Sequence, residues 1–294
     1  MKILITGGKG MLGRTLQRSL AEHEIVVADL PDWDITDGDA FAANTAAIAP
    51  EVIIHCAAMT KVDDCEAKRD LAFRLNEDGS RNVAVAAKVA GARLIAISTD
   101  YVFSGEPPRE PWAWSEQDIP RPRTVYGASK FAGEQMIQMV LPEAAIVRIA
   151  WLYGSGGPSF VHTMMKLGAA AGDPLKVVDD QRGNPTSTDV VAEVIRFLLA
   201  HPEVSGIVHG TCENQCTWYE FACEIKRLTA ELGIAPGFGR AIVPCTTEEF
   251  PRPAPRPKNS ALKKSVLNIL GYRTPDWREA LRSFMVREFG PQNA

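Results

Sequence analysis

The chain has 294 residues, enough for one large domain or a main domain with a smaller lobe. With 46% apolar and 23% charged residues the composition is that of an ordinary folded protein, and a net charge of -4 gives no reason to expect nucleic acid or an anionic membrane as partner. No apolar run approaches the roughly 20 residues of a membrane span. The first strand pattern begins at Lys2 and leaves no room for a signal peptide, so the expected location is the cytoplasm.

The N-terminal half alternates strand and helix patterns. Residues 2–6 (KILIT) read as a buried strand, about 11–21 as a helix, and 25–29 (IVVAD) as a second strand. A helix over 37–49 precedes a third strand at 51–58, and a helix over 78–90 precedes a fourth at 92–99. A helix over 126–140 then leads to a fifth strand at 144–150. Strands joined by helices imply right-handed crossovers and a parallel sheet covered on both faces, a doubly wound α/β arrangement.

The C-terminal half is less regular. A strand and loop are expected at 175–186, a helix at 189–200, a short strand at 206–210 and an amphipathic helix at 218–232. Alternating prolines in FPRPAPRPKNS (250–260) forbid a helix and favour an extended segment. Helical patterns at about 260–270 and 276–288 follow, so that segment lies within the fold. The six cysteines, Cys56, Cys65, Cys212, Cys216, Cys223 and Cys245, form no C-x-x-C pair. Cys212 and Cys216 near His209 leave a metal site open, but reduced cysteines commonly serve as small apolar residues.

Two stretches carry chemistry. TGGKGMLGRTL (6–16) follows the first strand and opens the first helix, with Gly7, Gly10 and Gly13 at three-residue spacing around Met11 and Leu12. Gly7 permits a tight turn, Gly10 lets the backbone approach a pyrophosphate, and Gly13 lets helix and sheet pack closely. The helix N-terminus offers free N–H groups to phosphates. The second strand ends on Asp29, placed either to hold the adenosine ribose hydroxyls, which favours NADH over NADPH, or as a solvated loop aspartate. Arg14 offers partial compensation for a 2′-phosphate, and Asp34 and Ile35 fall where an adenine would lie.

VYGASKFAGE (125–134) places Tyr126 and Lys130 at i, i+4, on one helical face. A neighbouring ammonium lowers a phenol's pKa and suits it to proton exchange with a substrate oxygen. ISTDYVFSGE (97–106) puts Ser98, Thr99, Asp100 and Tyr101 at the end of the fourth strand, where open α/β sheets bind ligands. Thr99 is therefore expected to share a crevice with Tyr126 and bond the same substrate oxygen, unless Ser98 and Thr99 only cap a loop.

With these stretches in view, the chain resembles the extended short-chain dehydrogenases/reductases, and within them the dTDP-4-dehydrorhamnose reductase family. The similarity runs along nearly the whole chain. It rests on GGKGMLG (7–13), HCAAMTKVDDCE (55–66), STDYVFSG (98–105), VYGASKFAGE (125–134), RIAWLYG (148–154), DDQRGNPT (179–186) and RPKNSAL (256–262). The resemblance implies a Rossmann-type lobe (1–150 and 187–210) for NADH or NADPH. It implies a smaller C-terminal α/β lobe (151–186 and 211–294) for a nucleotide-sugar. It implies catalytic roles for Thr99, Tyr126 and Lys130, and cofactor contacts from Ala57, Ala58, Met59 and Thr60. Thr60 and Val62 are implied at the sugar together with Asp100 and Tyr101. Trp151 is implied against the sugar ring, or else in the core, and Arg256 at the diphosphate, with Arg252 as its rival. Metal-linked dimers in this family use a glutamate just after the glycine loop; Arg14 and Thr15 stand there, so no metal is expected, and a homodimer is expected on general grounds only. Two alternatives accompany this reading: a reductase of another nucleotide-linked keto sugar, and a non-catalytic regulatory subunit of the methionine adenosyltransferase type.

Overall fold

The computed structural model describes residues 1–106 and 113–290. The chain opens with β1 (Lys2–Thr6), α1 (Met11–Ser19), β2 (Glu24–Ala28), α2 (Gly38–Ile48) and β3 (Val52–His55). A broken helical stretch follows: α3 (Val62–Ala67), α4 (Arg69–Phe73), a π-helical turn (Arg74–Asp78) and α5 (Gly79–Ala90). Strand β4 (Arg93–Thr99) runs into a 3-10 turn (Asp100–Val102), and α6 (Val125–Val140) leads to β5 (Ala145–Ile149). Next come β6 (Leu152–Tyr153), α7 (Phe160–Ala169), β7 (Leu175–Val178), β8 (Arg182–Gly183), β9 (Thr186–Ser187), α8 (Thr188–Ala200) and β10 (Gly206–His209). The last elements are β11 (Cys216–Thr217), α9 (Trp218–Glu231), β12 (Ile242–Cys245), α10 (Ser265–Ile269) and α11 (Trp277–Phe289).

Six strands form one parallel sheet in the order β10-β5-β4-β3-β1-β2. Alternation along the strands feeds two cores. Ile3, Ile5, Ile54 and Val147 pack with Leu16 of α1 and Ile195 of α8. On the other face Leu4, Ile53 and Ile146 pack with Phe41 of α2, Val83 of α5 and Ile137 of α6. With both faces covered, β3 (VIIH) and β5 (AIVRI) are buried at every residue and are apolar but for His55 and Arg148. The strand order reverses between β1 and β3, and that reversal opens a crevice beyond their carboxyl ends.

Three two-stranded sheets, β6-β9, β8-β11 and β7-β12, lie outside the large sheet. A third core gathers Tyr153, Val161, Phe221, Ile225, Trp277 and Phe284 from these parts, and Cys212 and Cys216 are buried in it as apolar residues. His209 is buried too, its Nδ1 3.0 Å from the Lys263 carbonyl. No helix among the described residues is long and apolar enough to cross a membrane.

Some boundaries differ from expectation. The first helix ends at Ser19, the second strand at Ala28, and the helix expected over 260–270 shrinks to Ser265–Ile269. Helices α3, α4 and α7 and the two-residue strands were not expected. A two-residue strand has no periodicity to read, and VDDCEA of α3 is too short and polar to show an apolar face.

Candidate active site

The glycine loop is built as the spacing predicts. Gly7 has a φ of 65°, and a Cβ there would lie 2.7 Å from the Ala57 nitrogen. A Cβ on Gly13 would lie 2.5 Å from the Gly7 carbonyl oxygen and from the Gly8 Cα. Gly10 caps α1 with no side-chain hydrogen bond, so the helix's first N–H groups face the cleft uncapped. This side-chain-free cradle at a helix N-terminus fits a dinucleotide pyrophosphate.

The cleft above it has a volume of about 700 Å³. It is lined on one side by Gly7, Gly10, Met11, Leu12, Gly13, Asp29, Asp34, Ile35, Ala57 and Ala58, and on the other by Thr60, Val62, Thr99, Asp100, Tyr101, Tyr126, Lys130 and Trp151. Two expected residues lie outside it. Met59 is pinned by its backbone: its N–H donates to Asn76 Oδ1 at 2.8 Å and its carbonyl accepts from Asn76 Nδ2 at 3.1 Å. Arg256 pairs with Asp63 at 2.8 Å and lines an adjoining cavity of about 160 Å³, which shares Tyr101 with the main cleft.

At the adenosine end, both Asp29 oxygens are engaged by backbone, Oδ2 by the Lys9 N–H at 2.8 Å and Oδ1 by the Leu30 N–H at 2.9 Å. The Lys9 ammonium donates to the Leu30 carbonyl at 2.6 Å. Arg14 Nε donates to the Lys9 carbonyl at 2.8 Å and braces the loop. Asp34 closes a turn by accepting from the Thr36 N–H and hydroxyl, both at 2.8 Å.

At the reacting end, Thr99 caps the 3-10 turn, accepting from the Tyr101 N–H at 3.2 Å and donating to Asp100 Oδ1 at 3.0 Å. Tyr126 is 9% exposed and lies edge-on to Tyr101 with centroids 5.5 Å apart. Burial raises the Tyr126 phenol above its ordinary value, against the lowering hydrogen bond of Thr99, with the Asp100 charge adding to the rise. The expected lowering by Lys130 does not occur. Its ammonium donates to the Ile97 carbonyl at 2.8 Å, and burial dominates at the phenol. Lys130 itself is pulled down to about 8 by burial, while Glu134 acts to raise it.

Sequence reasoning missed several supports. Asn76, in the π-helical turn, is fully buried and donates to Ser129 Oγ at 2.9 Å, and that hydroxyl donates to the Tyr126 carbonyl at 3.0 Å. Gly127 lies so close to the Tyr101 carbonyl that a Cβ would come within 2.1 Å of it. Trp151 adopts a left-handed φ of 45° and stacks on Trp218 with centroids 3.5 Å apart. Only the VYGASK spacing held a hint of Gly127; Asn76 and Trp218 carry no local signature.

A doubly wound dinucleotide-binding fold whose crevice joins a glycine cradle to a Tyr-x-x-x-Lys pair defines a nicotinamide-dependent oxidoreductase. The family model described as the RmlD substrate binding domain matches residues 1–289, and the chain belongs to that family. It is 42% identical over 286 residues to a dTDP-4-dehydrorhamnose reductase of Streptomyces griseus, covering 95% of this chain and 91% of that one. It is 43% identical to a probable dTDP-4,6-dihydroxy-2-methyloxan-3-one 4-ketoreductase of Streptomyces antibioticus, covering 96% and 94%. The crystal structure of dTDP-4-dehydrorhamnose reductase from Bacillus anthracis in complex with NADP superposes with a TM-score of 0.90 at 39% identity, covering 97% of this chain and 99% of that one.

Proposed function

We propose that this chain reduces the C4 ketone of dTDP-4-dehydro-L-rhamnose to give dTDP-L-rhamnose. The observation that carries the reading is the placement of Thr99, Tyr126 and Lys130 in one cleft continuous with the glycine cradle. When bound, NADH or NADPH supplies the hydride. Ketone reduction builds negative charge on the carbonyl oxygen, and that oxygen needs a proton. Tyr126 is the donor: burial keeps its phenol protonated near neutrality, as a proton donor for reduction must be. Thr99 orients the phenol and the sugar oxygen together. Lys130, cationic below about pH 8, holds the nicotinamide ribose and balances the phenolate left behind.

Gly7, Gly10, Met11, Leu12 and Gly13 would hold the cofactor's pyrophosphate and Asp34 and Ile35 its adenine, with Ala57, Ala58 and Thr60 along its length. Asp29 with Lys9 beside it suits both NADH and NADPH, since the carboxylate is already satisfied and an ammonium is at hand for a 2′-phosphate. Val62, Asp100, Tyr101 and Trp151 face the sugar, and Arg256 adjoins them toward the diphosphate. The division into a Rossmann lobe (1–150 and 187–210) and a sugar lobe (151–186 and 211–294) belongs to this reading; a core of the second part supports it, while Val190 of α8 joins that core and Leu267 of α10 packs into the first. So do a cytoplasmic location and a homodimer.

A related dTDP-linked keto sugar is a second substrate, favoured by the Streptomyces antibioticus relative. The test is steady-state oxidation of NADPH and NADH by the purified protein with dTDP-, UDP- and GDP-linked 4-keto sugars. The reading predicts turnover with the dTDP sugars and both cofactors. Turnover confined to UDP- or GDP-linked sugars contradicts it.

A further inference from the structure

Behind the cleft lies an ion pair away from solvent. The side chains of Arg148 on β5 and Glu134 on α6 are 3% and 2% exposed. Arg148 forks onto the carboxylate, Nε to Oε1 at 2.9 Å and Nη2 to Oε2 at 2.6 Å. The Ser98 hydroxyl donates to the same Oε1 at 2.5 Å, and β4-β5 register sets Ser98 directly beside Arg148. The guanidinium lies over Phe103, 5.1 Å from its centroid, and its Nη1 has no hydrogen-bond partner among the described residues.

A buried pair of this kind contributes little net stability over apolar residues of similar volume. Its connections suggest another use. Glu134 is one helical turn from Lys130 on the same face of α6. Ser98 immediately precedes Thr99 on β4. The remaining titratable neighbours of Lys130 are neutral around pH 7. Burial takes His55 at the end of β3 down to about 3 and Cys56 up to about 12, and Tyr126 is raised. Asp100, next to Tyr126, is pushed up to about 6 and so is a carboxylate around pH 7, where its charge bears on Tyr126. The Ile97 carbonyl accepts from the ammonium at 2.8 Å, and the Glu134 charge acts on it from one helical turn away, favouring its protonated form.

We propose that Glu134, clamped by Arg148, is a positioning residue for the reduction: it is the counter-charge of Lys130 and, through Ser98, the anchor of the backbone that presents Thr99. This rests on the catalytic reading above. Without the carboxylate charge, a lysine buried to this degree loses its proton at lower pH, and with it the grip on the nicotinamide ribose.

Glu134→Gln alone strands a buried guanidinium and risks the fold. The test is therefore the paired variant Glu134→Gln/Arg148→Met, with Ser98→Ala beside it, each checked for a native circular dichroism spectrum. NADPH dissociation constants are measured by fluorescence across pH, which requires no turnover. Wild-type affinity is expected to fall as pH rises through about 8, and because Glu134 is the charge that raises Lys130, the midpoint drops in the paired variant. A folded paired variant with the wild-type midpoint overturns the counter-charge role. Ser98→Ala is expected to lose about tenfold in kcat with the NADPH midpoint unmoved; full kcat overturns the anchoring role. Wild-type protein that binds NADPH but reduces no keto sugar contradicts the proposed function, and the binding midpoints still decide on Glu134.

Discussion

Tyr126 and Asp100 meet at Thr99, and each is governed by burial more than by its neighbours' charges. Replacing Tyr126 by Phe removes the proton donor and little else. Turnover should fall by at least about 100-fold with NADPH affinity nearly unchanged, read by stopped-flow oxidation and fluorescence titration. Asp100 is 2% exposed, and its Oδ2 lacks a hydrogen-bond partner among the described residues. Burial raises its carboxyl to about 6, against the hydrogen bonds of Ser260 and Thr99 and of nearby backbone. A carboxyl with a raised folded pKa contributes its full stability below the ordinary carboxyl range and loses it as pH rises through about 6. Asp100→Asn should therefore be more stable relative to wild type at about pH 8 than at about pH 4. Thermal melts giving the same difference at both values contradict this account.

Elements place these residues, and here close backbone approach is the controlling feature. Gly13 lets α1 sit on the glycine loop, and Gly127 lets the start of α6 sit on the Tyr101 carbonyl. Gly13→Ala forces helix and loop apart and should weaken NADPH binding at least about tenfold. Gly127→Ala displaces the helix that carries Tyr126 and should instead lower kcat with a smaller effect on NADPH affinity. Binding and turnover measured on both variants separate the two effects. The glycine loop and the Tyr126–Lys130 pair were legible in the sequence because their chemistry demands fixed spacing on one short element. The brace through Asn76 and Ser129 was not, since it joins the π-helical turn to α6 across 53 positions and leaves no local pattern. Lys9 was passed over for a related reason: only the fold brings it against Asp29, 20 residues on.

At the scale of the molecule, the proline-rich stretch ties the C-terminal part to the cleft. Arg256 bonds Asp63 of α3 at 2.8 Å, and Asp63 also accepts from the Ala254 N–H at 3.2 Å. Its prolines marked it as extended, yet that Arg256 would meet Asp63, 193 positions away, lay beyond sequence reading. Arg256→Ala frees this strap and should raise the KM for the nucleotide-sugar about tenfold while NADPH affinity holds. A KM unchanged in steady-state assays contradicts a role for the strap.

The most direct test of the central claim follows a label. NADPH carrying deuterium at both C4 positions of the dihydronicotinamide is incubated with the protein and dTDP-4-dehydro-L-rhamnose, and the sugar product is read by proton NMR. The account predicts dTDP-L-rhamnose with one deuterium at sugar C4. Protein that binds NADPH but leaves the sugar unlabelled contradicts it.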